Sequence, residues 1–218
     1  MKIKDILVEY VDHMGDDDSV VNSARVSFSK VASNYTPEQN TRLIRYLAKH
    51  KHFSPFNHTF ISVKVNAPLV VARQLVKHEY MPINEVSRRY VDDEPTFFLP
   101  HEWRKRSDNK KQGSSEEVFE GALGKSIMLT VGQHTESSLD VYSQLLALGV
   151  CPEQARMVLP QNMNTEWYWS GTLKAFAKML VLRLDPHTQK ESTEVARQVR
   201  NIIQPLFPVS VEALLELK

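Results

Sequence analysis

The chain has one cysteine, Cys151, in 218 residues, so no disulfide can form within it. That usage fits a reducing compartment. Seven glycines are spread thinly, and neither GxGxxG nor GxxxxGK[ST] occurs. Both common glycine-rich nucleotide loops are therefore excluded. No run of 18 apolar residues is present, which argues against a membrane-spanning helix. The opening MKIKDILVEYVDH alternates charged and apolar residues and does not read as a signal peptide. The expectation is a soluble, cytoplasmic protein. Charge of one sign is also lacking: 27 Lys and Arg face 26 Asp and Glu, for a net charge of +1. A general nucleic-acid binder would be more basic. Any anionic ligand must be met by a local group of cations.

A hydrophobic content of 42% suits one compact domain over 1–218, with no visible internal repeat. Alternation over residues 3–11 predicts a strand with Ile6, Val8 and Tyr10 on one face. Asp18 or Ser19 would cap a short helix through VVNSARVSF. Thr36-Pro37-Glu38-Gln39 predicts a capping-box start, with proline at the first helical position, for a helix ending near His50. Residues 58–66 read as a strand with Ile61, Val63 and Val65 inward. Pro68 opens a helix through LVVARQLVKH. PTFFL and EWYWS read as strands. Residues 104–116 are the most hydrophilic stretch and read as a loop. Ser114 with Glu117 would then start a long helix to Leu148, stopped by Gly149. EQARMVL, TLKAFAKMLVLRL, 191–203 and 209–217 read as helices. The class is α+β: a small, mainly antiparallel sheet packed with helices.

Four polar clusters interrupt the apolar pattern. HFSPFNH carries His52 and His58, six apart, with no carboxylate or cysteine beside them. Loop histidines explain this better than a metal site, and no metal is expected. RQLVKHEYMPINEVSRRY places Arg73 and Lys77 on one helical row and Gln74 and His78 on the next. A solvated helix end would account for the cations, but less easily for the amide of Gln74 in an apolar helix. Arg156 lies within ARMVL, and Arg183 within VLRLDPHTQKE with His187 four residues on. Each of these arginines alone reads equally as half of a structural ion pair. Together, Arg73, Arg89, Arg156 and Arg183 beside apolar segments of a near-neutral chain suggest a phosphorylated small molecule, with Ser87, Gln74 and Asn84 to read a base or sugar.

The ordered motifs HKHFSPFNH, APLVVARQ, NEVSRRY, EQARMVLPQN and LRLDPHTQKE, over about residues 16–203, resemble flavin-dependent thymidylate synthases. The resemblance implies a homotetramer with sites between subunits, binding FAD, dUMP, methylenetetrahydrofolate and NADPH, with no nucleic-acid or membrane partner. It places Gln74, Lys77, Glu85, Val86, Ser87, Arg88, Arg89, Arg156 and Arg183 on dUMP, with Arg156 at the phosphate and Arg183 beside the uracil ring. It places Ser54, Lys77, His78, Glu79, Glu85, Thr172, Lys174, Lys178 and His187 on FAD, and Arg183, His52 and Ser87 at the reaction centre. No base is evident beside Ser87, so a substrate hydrogen bond is a simpler role for it than nucleophile. Three places depart from the family pattern. Lys77-His78-Glu79 stands for Arg-His-Arg. Asn57 stands for Glu. Thr172, Lys174 and Lys178 stand for Asn, Arg and Asn. These departures keep open an alternative, a non-catalytic nucleotide-binding homologue. Cys151 reads as structural.

Overall fold

In the computed structural model, residues 1–107 and 114–216 are described; positions 108–113 of the hydrophilic loop lie outside the described residues. Four strands form the main sheet: β2 (Leu7–Met14), β3 (Phe60–Pro68), β6 (Asn164–Thr172) and β4 (Ile83–Glu85), in the order β2-β3-β6-β4 and antiparallel throughout. The short strands β1 (Lys2–Ile3) and β5 (Thr96–Phe97) form a separate parallel pair. Ile61, Val63 and Val65 of β3 alternate inward as expected, opposite Gly171, Trp169 and Trp167 of β6. Burying this face supplies the main hydrophobic stabilisation of the sheet.

Helices α1 (Asp17–Arg25), α2 (Pro37–Lys49), α6 (Leu173–Arg183), α7 (Lys190–Ile203) and α8 (Pro208–Leu215) contribute to that core. A smaller cluster gathers Phe97, Tyr142, Ala155, Leu159 and Met163 between α4 (Gly121–Ala147) and α5 (Pro152–Ala155). The cap of α2 is the predicted one: Thr36 accepts from the Gln39 amide, and the Gln39 side chain accepts from the Thr36 amide. Helix α3 (Leu69–Leu75) starts after Pro68, also as predicted.

The fold corrects several expectations. Asp16, not Asp18 or Ser19, caps α1; its carboxylate accepts from the Ser19 amide at 2.8 Å, and Ser19 returns the bond. Tyr10 is exposed, because the β2–β3 register shifts between Tyr10 and Asp12 and breaks the alternation. Helix α3 stops at Leu75, so Lys77 and His78 lie in the following turn. The long helix starts at Gly121, not at Ser114. Residues 115–119 instead run beside 103–105, with Lys105 N donating to Glu117 O and Phe119 N to Trp103 O. The Ser114 hydroxyl accepts from Arg104 Nε at 2.8 Å, so it is occupied elsewhere. Gly124 permits this crossing: a Cβ there would sit 2.3 Å from the Phe119 carbonyl oxygen. Cys151 is exposed just ahead of α5.

Candidate active site

Strand β4 forms one wall of a cavity of about 720 Å³ at the sheet edge. Glu85 and Val86 reach it because β4 pairs with the Trp167–Trp169 stretch of β6, and the pairing continues with Val86 N donating to Glu166 O at 2.9 Å. Arg73 enters from α3, Arg88 from the turn after β4, and Arg156 from the 3₁₀ turn after α5. Among the described residues the arginine ion pairs are Arg45–Glu212, Arg104–Glu191 and Arg197–Glu194. Arg73, Arg88 and Arg156 are in none of them. Arg156 Nε donates to the Glu153 carbonyl oxygen at 3.3 Å, and Arg88 Nη1 donates to the Asp93 carbonyl oxygen. Both guanidiniums are thus oriented by neutral acceptors. Glu85 is held by Thr165 Oγ1, which donates to it at 2.6 Å. In the adjoining turn, Arg89 donates to Ser87 Oγ from both its backbone amide and its Nε.

A second cluster lies where α3, α6 and the start of α7 meet. Arg183 Nε donates to His78 Nε2 at 3.0 Å, and its Nη2 donates to the Gln74 carbonyl oxygen at 3.2 Å. The Gln74 amide is in turn fixed by Ser192 Oγ, which donates to it at 2.9 Å, and by Gln189. Burial, then the Arg183 and Lys178 cations, pushes the His78 ring down to about 4. Burial also lowers Arg183, and among the described residues it is in no ion pair with a carboxylate.

Several of the residues expected on FAD form a third patch, while Glu85 lines the first cavity and His78 belongs to the second cluster. Thr172 Oγ1 donates to Asn57 Oδ1 at 2.9 Å, joining two of the positions that depart from the family pattern. Lys174 Nζ sits 3.4 Å above the centre of the Phe53 ring. Burial, then Lys178, lowers its pKa. Glu79 turns to Lys178 and pairs with it at 3.0 Å, so two further departures meet. Ser54 opens the 3₁₀ turn Ser54–Asn57, and His52 stacks on Tyr46 with ring centres 6.2 Å apart. Lys77 is exposed. His187 is exposed, with Nδ1 2.9 Å from Asp185 Oδ1.

One chain therefore brings together Glu85, Val86, Arg88 and Arg156, and separately Gln74, His78 and Arg183. Arg183 is not among the residues that line the Arg156 cavity. Two partners of Gln74 lie outside the predicted site. Gln189 stands in the LRLDPHTQKE motif and was open to recognition there. Ser192 follows that motif and carries no signal of its own.

These features define a class: an α+β protein with a pocket at the edge of its sheet lined by three arginines and four glutamates. The chain belongs to the family described as thymidylate synthase complementing protein, whose profile matches residues 9–209. It is 37% identical over 210 residues to the flavin-dependent thymidylate synthase of Kosmotoga olearia, covering 95% of this chain and 89% of that one. It is likewise 37% identical to the same-named protein of Thermus thermophilus, over 96% and 75%. Among solved structures it resembles the UMP/dUMP methylase PolB of Streptomyces cacaoi bound with 5-Br dUMP. That match has a TM-score of 0.89 and 30% identity, covering 98% of this chain and 96% of the other.

Proposed function

We propose that this protein is a flavin-dependent thymidylate synthase. It converts dUMP to dTMP in the cytoplasm, with methylenetetrahydrofolate as carbon donor and NADPH as reductant. The observation that carries the reading is the set of arginines in no ion pair among the described residues: Arg73, Arg88 and Arg156 around one cavity, and half-buried Arg183 against His78 and Gln74. A guanidinium without an internal counter-charge suits a ligand anion, and its planar fork matches phosphate. Arg156 takes the phosphate, with Arg73 and Arg88 adding charge. Glu85, Val86, Ser87 and Arg89 frame the nucleoside, and Gln74 reads the base. Lys77, exposed in the turn after α3, adds a cation. Arg183 lies against the N3–C4 edge of uracil, where its charge stabilises negative charge spreading over the ring and makes carbon 5 more nucleophilic. His52 and Ser87 flank the reacting carbon.

The third patch fits FAD. Lys174 is a partly desolvated cation beside a second cation, with no carboxylate of its own among the described residues, and a diphosphate would complete it. Lys174, Lys178, Thr172, Ser54, Lys77, His78, Glu79, Glu85 and His187 would hold the cofactor, with Glu79 acting through Lys178. When bound and reduced by NADPH, the flavin would supply the hydride that completes the methyl group. The protein's share is positioning and charge. The separation of Arg156 from Arg183 in one chain supports sites completed between subunits of a homotetramer.

The test is dTMP formation by the purified protein supplied with FAD, dUMP, methylenetetrahydrofolate and NADPH. Product is expected, and dUMP should raise the melting temperature by mass action. Stabilisation by dUMP without flavin binding or product would favour the non-catalytic homologue, for which Glu79 on Lys178 is the specific observation. No response to dUMP would overturn the assignment.

A further inference from the structure

We propose that His78 is a positioning residue for Arg183, holding the guanidinium through a neutral acceptor so that its plane is fixed and its charge is left for the ligand. The inference rests on the reading of Arg183 as the cation beside the substrate ring.

Arg183 has five N–H groups. Its Nε donates to His78 Nε2 at 3.0 Å, and its Nη2 donates to the Gln74 carbonyl oxygen at 3.2 Å. Two contacts on one edge define the plane of a rigid fork. The second anchor is a carbonyl at the C-terminus of α3, where orphan carbonyls favour a cation. The backbone of Arg183 is also pinned, because Thr193 Oγ1 donates to its carbonyl oxygen at 2.9 Å. The Nη1 hydrogens and one on Nη2 remain for a ligand.

The chemistry of the acceptor matters as much as its position. The protein also orients an arginine with a carboxylate: Arg104 meets Glu191 at 2.9 Å, with both side chains largely buried. Such a partner fixes the cation but offsets its charge. An imidazole nitrogen fixes it without that loss. Because Arg183 Nε must donate, His78 Nε2 must accept, and the ring proton sits on Nδ1. Burial and two cations oppose protonation of the ring. Arg183 and Lys178 approach from α6, and the ring packs 6.3 Å from Trp169 of β6. On its own segment, Lys77 is a cation, and the carboxylate of Glu79 is paired with Lys178.

Three variants separate holding from charge. His78→Gln keeps an acceptor at similar reach, His78→Phe keeps a ring against Trp169 without one, and His78→Glu keeps an acceptor but adds a charge. In the FAD-loaded enzyme, H78F is expected to lower kcat by about tenfold or more, because a misplaced group is costly in a transition state. H78Q should lower it by less than about threefold, since the contact to the cation persists. H78E should lose at least as much kcat as H78F while melting no lower than H78Q. KM for dUMP should move less than kcat in all three. Independently of catalysis, nitrogen-15 spectra of the flavin-free and flavin-bound protein at pH 6 should show His78 neutral and protonated on Nδ1.

The positioning role is overturned if H78Q is as damaged as H78F, if H78E is as active as H78Q, or if His78 titrates near its ordinary 6.5. If H78F does not fold, the nitrogen spectrum and the Gln–Glu pair still decide. Failure of the underlying reading looks different: Arg183→Ala would then leave dTMP formation intact. An inactive R183A with an active H78F would sink only the role of His78.

Discussion

The clasp at the start of α7 and the cavity at the edge of β4 use the same side chain in opposite ways. In the clasp, Arg104 spends its donors inside the protein: Nε on Ser114 and Nη2 on both oxygens of Glu191. In the cavity, Arg73, Arg88 and Arg156 are in no ion pair among the described residues, although Glu85, Glu94, Glu153 and Glu166 line the same space, and the arginine side-chain hydrogen bonds there are to backbone carbonyls. A carboxylate partner converts an arginine into a structural fastener. A neutral partner aims it and leaves the charge available. The two regions should therefore fail differently, one in stability and the other in binding.

The largest effect is expected in the clasp. Arg104→Ala strands the Glu191 carboxylate, and breaking one side of a buried pair costs about 3 kcal/mol. Chemical denaturation should show that loss. Glu191 is also adjacent to Ser192, which holds Gln74, so the start of α7 should loosen with it. Arg156→Ala is the counterpart. Its stability should stay near wild type, because Arg156 is exposed and unpaired. Its affinity for dUMP should fall by about tenfold to a hundredfold, the usual range for a lost hydrogen bond to a charged group. Calorimetric titration with dUMP checks this. A stable R104A, or an R156A that unfolds early but binds normally, would break the distinction.

Much of this division was legible in the residues. The near balance of charge directs attention to local arginines, and apolar neighbours mark Arg156 and Arg183 as needing partners. Thr36-Pro37 and the β3 alternation are local signals, so α2 and β3 form as predicted. Strand β4 was not legible. Ile83–Glu85 is three residues long and follows a proline, and only pairing with β6 makes it a strand. The start of α4 misled for a similar reason, since Ser114 is a good cap in sequence but Arg104 takes its hydroxyl. The bulge after Tyr10 depends on register with β3, which no local pattern carries. The pairing of Arg104 with Glu191 spans 87 positions, and that Arg156 has no ion pair among the described residues is visible only in the folded chain.

A pH series sharpens the comparison at a group the fold keeps uncharged. The His78 pKa is lowered from 6.5 to about 4, so between these values the unfolded chain binds the extra proton. Stability from a neutral His78 is fully present above about 6.5 and is lost as pH falls towards 4. The melting temperature should therefore drop more between pH 7 and pH 5 in wild type than in His78→Gln, where nothing titrates at that position. An equal drop in both would mean that the ring is not held neutral by Arg183 and its surroundings.

The smallest effect on stability is expected where the two behaviours meet, at Glu79 and Lys178. This pair is a fastener by geometry, at 3.0 Å, but both side chains are more than half exposed. Solvent screens such pairs, and holding two long side chains together offsets what attraction remains. Glu79→Ala should leave the melting temperature within experimental error. Its effect should appear on the ligand side, because Lys178 is then freed next to Lys174 and the patch gains one positive charge. Flavin fluorescence titration should show tighter FAD binding than in wild type, with a steeper loss of affinity as salt is added. Lys178→Ala should leave affinity near or below wild type, since it removes the cation and exposes Glu79. If Glu79→Ala leaves both the affinity and its salt dependence unchanged, the Lys178 charge does not face the cofactor, and the pair belongs with the clasp rather than with the pocket.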